Sequence, residues 1–447
     1  MAFFKWLQKA PTLARLPADQ IGPVYAAKRL QVFYSVYIGY AAFYVVRKNI
    51  SAALPALMKQ LQTSKAEMGL ILSLFNAMYA MAKLVNGPWC DRSNPRTFMT
   101  VGLLGAAVMN IFFGLSSSFI FFALFWLLNG YFQSMGSPVG PKTMANWFST
   151  RERGRYYGLW NTCHNFGSFF ILLVGGFIVD RWGWRTGFIL PGFIAAATAF
   201  LVLWKMLDRP ESVGLPSIQE YHGEKPFAAG LESDESGTVL FKKYVLANPR
   251  IWILSVLCML VYIVRYGLGD WAVTYLSEVK DSSVGWASLK SSFLELMGIP
   301  GTLLAGFLAD KVYKGKSLAV SIVYLILMCV SIFLIYIVPA GYGAVDAICF
   351  GAAGFFIYGV QMISTGLAPL EMVPRKAVAS AVGLTGAMSY LGAVLTSALT
   401  GILTDHYGWQ GAFIFWIACG LAAVIIAVIL LSLSRPAVVR ANPEKLR

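Results

Sequence analysis

The chain has 447 residues, 57% of them hydrophobic and 13% charged, with a mean hydropathy of +0.64. Soluble domains carry about a quarter charged residues, so an ordinary globular enzyme is excluded. The net charge of +15 does not point to nucleic acid, because the basic residues lie between apolar runs and form no single patch with interleaved aromatics.

Apolar runs of bilayer-crossing length, about 20 residues each, fall near 30–52, 67–87, 98–116, 119–147, 156–179 and 186–205. After a polar break come runs near 250–277, 287–309, 317–338, 343–366, 377–403 and 411–433. The predicted fold is an all-α membrane protein of twelve transmembrane helices in two six-helix bundles, 1–205 and 250–447, joined by a linker over 206–249. Pro210, Pro216 and Pro226 mark that linker, with the acids Asp208, Glu211, Glu220, Glu224 and the run Glu232 to Glu235, which are expected to be solvated. Twelve spans use about 240 residues, leaving no room for a separate soluble domain.

Lys5, Lys9, Arg15, Lys28 and Arg29 are spread through the first 30 residues, unlike the charged-then-apolar order of a cleavable leader. Further basic residues collect in alternate loops: Arg92 and Arg96; Arg151, Arg153 and Arg155; Lys311, Lys314 and Lys316; Arg375 and Lys376; and the Arg435 to Arg447 tail. The short loops around Ser116 and Gly341 have none. By the positive-inside rule, both termini and the linker are expected to be cytoplasmic.

Five of the six cysteines (Cys163, Cys258, Cys329, Cys349 and Cys419) lie in apolar runs, and no two have metal-site spacing. No metal, cofactor or disulfide is expected. No Gly-x4-Gly-Lys-Ser/Thr loop is present, so nucleotide hydrolysis is not the energy source.

Three motifs recur in order, about 219, 218 and 225 residues apart. Gly87-Pro-Trp-Cys-Asp91-Arg92 returns as Gly306-Phe-Leu-Ala-Asp310-Lys311, Tyr44-Val-Val-Arg47 as Tyr262-Ile-Val-Arg265, and Gly176-Phe-Ile-Val-Asp180 as Gly401-Ile-Leu-Thr-Asp405. Such spacing implies duplicated halves. The Gly-x-x-x-Asp-Arg/Lys loops resemble the signature of the major facilitator superfamily. Their glycines are expected to let helix ends approach closely, and their charged residues to lock or release neighbouring helices.

An ionisable side chain at mid-bilayer costs about 2.5–3.5 kcal/mol on insertion scales, so each needs a partner or a task. Arg265 and its repeat mate Arg47 are expected to face one another between the halves. Two arginines with no carboxylate at equivalent positions describe a site for a dianion, since the guanidinium fork matches phosphate oxygens. The competing reading pairs Arg265 with Asp270 and lets Arg47 snorkel with Lys48 to the outer interface.

Lys83, four residues from Tyr79 on one helical face, adds a third positive group, or else snorkels to the nearby surface. Glu295 calls for a charge partner on a neighbouring helix. His164 sits in the polar island Trp160-Asn161-Thr-Cys-His164-Asn165 and has a reference pKa near 6.5, close to the second phosphate pKa near 6; a helix-to-helix hydrogen bond is its plainer role. Tyr40, Tyr44 and Arg47 share one face.

With these residues in view, the sequence resembles the organophosphate:phosphate antiporters of the major facilitator superfamily, nearest to the bacterial glycerol-3-phosphate carriers among them. The resemblance rests on Gly39-Tyr-Ala-Ala-Phe-Tyr-Val-Val-Arg47-Lys-Asn49, Asp91-Arg-Ser-Asn-Pro95, Trp160 to Asn165, Arg265-Tyr-Gly-Leu-Gly-Asp270-Trp271 and Gly298-Ile-Pro-Gly-Thr-Leu-Leu304. It implies that Arg47 and Arg265 bind phosphate, with Lys83, His164, Tyr40, Tyr44, Tyr79, Tyr358 and Tyr390 lining the site; Asn161 and Asp270 join them as candidates. It further implies exchange of an organic phosphate for inorganic phosphate across the bacterial inner membrane, by a monomer with no nucleic-acid partner.

Two departures bear on the substrate. Gly136-Ser-Pro-Val-Gly-Pro141 stands where the glycerol-3-phosphate carriers have Gly-Trp-Pro-Pro-Cys-Gly, and Ser380-Ala-Val-Gly-Leu-Thr385-Gly lacks the charged pair of some hexose-phosphate carriers. Hexose-phosphate and phosphoglycerate exchange therefore stay open beside glycerol 3-phosphate, as does a sugar-phosphate sensor of the same fold.

Overall fold

Helices follow the apolar runs from end to end. They are α1 Ala18–Leu61, α2 Lys65–Arg92, α3 Pro95–Leu115, α4 Phe119–Trp147, α5 Arg153–Trp182, α6 Thr186–Lys205, α7 Pro249–Val279, α8 Val284–Val312, α9 Ser317–Ile337 and α10 Gly343–Met372. The stretch Val378–Leu433 has 56 residues, which at 1.5 Å each would reach about 84 Å, far beyond the roughly 30 Å hydrocarbon core. It turns at Gly408, whose φ of 65° lies in the left-handed region that glycine tolerates, giving α11 (378–407) and α12 (409–433).

The computed structural model describes residues 7–224, 239, 241–313, 317–374 and 377–433. Lys5, Pro226, the run Glu232 to Glu235, Lys314, Lys316, Arg375, Lys376 and the Arg435 to Arg447 tail lie outside the described residues.

Local chemistry sets the helix starts. Ser64 and Glu67 form a reciprocal capping box at α2, while Asn94 before Pro95 and Asn248 before Pro249 cap α3 and α7. Among the described residues, α2 to α10 and the Val378–Leu433 stretch are each long and apolar enough to cross a membrane. Arg47, Lys48 and Asn49 are buried within α1, where an ionisable side chain needs a partner or a task.

Helices α1–α6 pack as one bundle and α7–α12 as another, meeting through α2 on α11, α5 on α8 and α1 on α7. The chain is a multi-pass membrane protein. The bonds between bundles gather at the end away from the termini. The Asp180 carboxylate, at the end of α5, accepts the Gly285 N–H at the start of α8 at 2.8 Å. Its repeat mate Asp405, at the end of α11, accepts the Ala66 and Lys65 N–H groups at the start of α2 at 2.8 and 3.3 Å. Both carboxylates face helix N-termini, where backbone N–H groups lack intrahelical partners and negative charge is favoured.

The repeated glycines allow that approach. A Cβ on Gly176 would stand 2.4 Å from Ser288 Cβ, and one on Gly401 2.2 Å from the Lys65 carbonyl. Gly87 differs from expectation, since a Cβ there would meet nothing within 4 Å. It borders open space, and the neighbouring loop is fastened instead by Lys142, whose ammonium donates to the Cys90, Asp91 and Ser93 carbonyls at 2.7, 3.1 and 2.5 Å.

The linker acids also differ from expectation, because several are bonded rather than merely solvated. Asp208 is buried and accepts the Ala10 N–H at 2.8 Å. Both Glu220 carboxylate oxygens accept from Arg15 Nη2 at 2.7 Å, and Glu224 accepts the Thr150 N–H at 3.1 Å. A short helix, Ile218–His222, stacks Tyr221 on Tyr25. The first part of the linker is thus strapped beneath α1 and the α4–α5 loop, where composition alone shows only polarity.

Candidate functional site

A cavity of about 470 Å³ lies between the bundles. Its wall includes Tyr40 and Tyr44 of α1, Tyr79 and Lys83 of α2, Asn161 and His164 of α5, Arg265 of α7, Tyr358 of α10 and Tyr390 of α11. Gly87, Pro141, Tyr157, Gly366 and Val382, near the helix ends on the termini-bearing side, complete its mouth. The cavity therefore opens toward the termini and is sealed on the other side by the Asp180 and Asp405 contacts.

Arg265 lines the cavity, and Arg47 lies behind its wall. Arg47 and Arg265 are 5% and 7% exposed, and among the described residues no carboxylate oxygen comes within 4.0 Å of either guanidinium. Arg47 Nη2 donates to the Tyr266 hydroxyl at 2.8 Å, and its guanidinium carbon lies 4.7 Å from the Tyr79 ring centre and 5.3 Å from that of Tyr44. Arg47 is behind this tyrosine layer rather than on the cavity wall. Arg265 Nη2 donates to the Tyr358 hydroxyl at 3.3 Å, and its guanidinium lies 5.2 Å from the Tyr266 ring centre. Aromatic faces attract cations while leaving guanidinium N–H groups free for an anion.

Asp270 departs from the sequence expectation. It forms a buried ion pair with Lys48, Nζ to Oδ1 2.6 Å, and does not line the cavity. One bond thus answers two questions: Asp270 does not neutralise Arg265, and Lys48 does not snorkel. Glu295 accepts the Tyr358 hydroxyl, and Asn165 Nδ2 donates to the Glu295 backbone carbonyl at 3.2 Å. The Tyr358 hydroxyl therefore links Arg265 to Glu295.

His164 is buried with its ring 5.4 Å from Tyr44 and 5.7 Å from Tyr358. Its Nδ1 has no hydrogen-bond partner among the described residues, and buried polar nitrogens seldom stay unpaired. Lys83 is exposed to the cavity, with its ammonium 5.7 Å from the Tyr390 ring. Of the loop-motif residues, Gly87 borders the mouth, while Asp91, Arg92, Gly306, Asp310 and Lys311 lie outside the cavity wall at the termini-bearing ends of α2 and α8.

Sequence reasoning overlooked Tyr262, Tyr266 and Gln361. Tyr262 was available from the repeat, being the mate of Tyr44. Tyr266 follows Arg265 as Lys48 follows Arg47, so the repeat pairs a phenol with an ammonium there. Gln361, which donates to Tyr262 Oη at 3.4 Å, carries no pattern that separates it from other amides.

The Major Facilitator Superfamily model matches residues 36–370 and 347–447. The glycerol-3-phosphate transporter of Bacillus subtilis is 37% identical over 94% of this chain and 96% of its own length. A probable hexose phosphate transport protein of Chlamydia trachomatis is 36% identical over 89% and 90%, and the membrane sensor protein UhpC of Escherichia coli 35% identical over 94% and 96%. Among solved structures, a bacterial homolog to the human lysosomal transporter Spinster, inward-facing and unoccupied, shares the fold with a TM-score of 0.72 at 18% identity, covering 91% of this chain and 96% of that one. The tyrosine-backed arginine pair, the duplicated loop motifs and these relatives together show that the chain belongs to the organophosphate:phosphate antiporter family of the Major Facilitator Superfamily.

Proposed function

We propose that the protein exchanges a phosphate monoester, glycerol 3-phosphate first, for inorganic phosphate by alternating access. One observation carries this: two buried guanidiniums, one from each bundle, flank the Tyr266 ring, Arg265 on the cavity wall and Arg47 behind it, with no carboxylate paired to either among the described residues. With Lys83, the site has three cations against Glu295, a balance suited to a phosphate dianion. The relatives' names, glycerol-3-phosphate transporter and hexose phosphate transport protein, agree with that ligand class.

The mechanism follows from where the charges sit. Phosphate entering from the open side draws Arg47 and Arg265 onto its oxygens, while His164 Nδ1, Lys83 and the tyrosine hydroxyls reach the remaining ones. That attraction pulls the halves 1–205 and 250–447 together and strains the Asp180 and Asp405 contacts opposite. Empty, the closed intermediate would hold two like charges with nothing between them, which opposes return without a ligand and enforces exchange. The Gly87 to Arg92 and Gly306 to Lys311 segments then close the mouth. In this account the protein acts as a monomer in the bacterial inner membrane with its termini and linker cytoplasmic, and the cavity faces inward.

The similarity to the sensor UhpC favours a second reading, a receptor that binds the same ligands and signals without transport. Exchange assayed in liposomes separates the two: phosphate-dependent uptake of glycerol 3-phosphate supports the exchanger, and binding without uptake supports the sensor.

A further inference from the structure

Helix α1 leaves helical geometry at one described residue, Val46, with φ −96° and ψ 15°; a helical ψ is near −42°. That conformation lies in the sparsely populated bridge region, and it immediately precedes Arg47. Two asparagines from other helices hold it. Asn110 of α3 donates Nδ2 to the Val46 carbonyl at 2.9 Å, and Asn129 of α4 donates to the same oxygen at 3.1 Å.

Both asparagines are fully buried. Asn110 is itself oriented by Asn49, whose Nδ2 donates to its Oδ1 at 2.8 Å, and Gln133 donates to the Phe43 carbonyl at 2.8 Å one turn earlier on α1. Amides in an apolar interior are costly unless bonded, so three reaching two turns of α1 from α3 and α4, with Asn49 of α1 bonded to one of them, mark a backbone that packing alone does not require. The other bundle has no counterpart, since α7 runs from Pro249 to Val279 without such a break and carries Arg265 on regular backbone.

We propose that Asn110 and Asn129 are positioning residues for Arg47. By holding the Val46 carbonyl out of the helical ladder, they turn the next residue by about 57° in ψ relative to a regular helix and aim its guanidinium at Tyr266 and the phosphate. Without them, α1 straightens and Arg47 leaves the line it shares with Arg265. The inference rests on the phosphate-site reading above.

Asn129 offers the cleaner test, because its one hydrogen bond goes to Val46, whereas Asn110 also donates to Ala106. Asn129→Leu keeps the shape and removes the donor. In the purified full-length protein, inorganic phosphate affinity should fall roughly tenfold while the unliganded melting temperature stays close to wild type. Combined with Arg47→Lys, which keeps charge but loses the aimed fork, Asn129→Leu should add little; combined with Arg265→Lys it should again weaken binding about tenfold. If Asn129→Leu does not fold, Asn129→Ser, which retains a shorter donor, runs the same cycle with a smaller expected loss. Wild-type phosphate affinity in the asparagine variants, or an equal loss in both arginine backgrounds, overturns the proposal. Failure of the site reading looks different: Arg47→Lys and Arg265→Lys alone would then bind phosphate as wild type does.

Discussion

Arg47 and Tyr266 are joined across the bundle interface by a 2.8 Å hydrogen bond, and the Tyr266 ring lies beside both Arg47 and Arg265, 5.7 and 5.2 Å from their guanidinium carbons. A neutral phenol thus occupies the place where a carboxylate would otherwise settle two buried cations. It holds the forks without consuming their charge, which leaves that charge to a ligand.

Arg47→Lys and Arg265→Lys should each lower exchange roughly 100-fold or more while the protein stays folded, because an ammonium cannot make two parallel bonds to one phosphate. Uptake into phosphate-loaded liposomes, beside melting curves, measures both. Exchange within a few-fold of wild type in either variant would remove the arginine pair from the mechanism.

Lys48 and Asp270 have side chains only 8% and 9% exposed, so removing one partner strands a buried charge. Asp270→Asn should destabilise the protein by about 3–5 kcal/mol. The double variant Lys48→Met with Asp270→Leu should regain most of that stability, since a buried ion pair exchanged for apolar packing is often neutral. Urea or thermal unfolding of wild type, Lys48→Met, Asp270→Leu and the double variant gives the coupling.

Much of this architecture is legible in the sequence. Most spans fall within about six residues of the helices, whereas α1, Ala18–Leu61, runs well beyond its predicted 30–52 at both ends; the repeat also pairs Asp180 with Asp405, which make matching contacts. What pattern misses is which side chain on one helix meets which on another. Lys48 sits beside Arg47, and Asp270 a turn beyond Arg265; only the relative rotation of α1 and α7 shows that the acid answers the lysine. Likewise Asp208 reads as a linker acid until the chain at Ala10 folds beneath it.

Asp180 and Asp405 hold the closed face at two related points, so weakening both should favour the opposite opening. Asp180→Asn with Asp405→Asn keeps shape but removes the charge facing each helix N-terminus, an interaction worth roughly 0.3–1 kcal/mol apiece. A cysteine placed at Tyr40 should then react faster with an impermeant maleimide added from the side away from the termini. Unchanged labelling would show that these carboxylates do not hold the gate.

Glu295, reached through Tyr358, is the acid closest to the arginines in this bonding chain. Glu295→Gln should bind inorganic phosphate several-fold more tightly and turn over more slowly, since the site then holds the dianion against one less negative charge. Weaker binding with unchanged turnover would argue that Glu295 organises the ligand site instead of opposing it.

The central claim is exchange driven by a phosphate-shaped pair of arginines, and counterflow tests it most directly. Protein reconstituted in liposomes loaded with phosphate should take up labelled glycerol 3-phosphate, and liposomes without internal phosphate should take up almost none. Glucose 6-phosphate and 3-phosphoglycerate, added as competitors, rank the esters. Uptake indifferent to internal phosphate, or none in a preparation shown to bind the ester, would contradict the account.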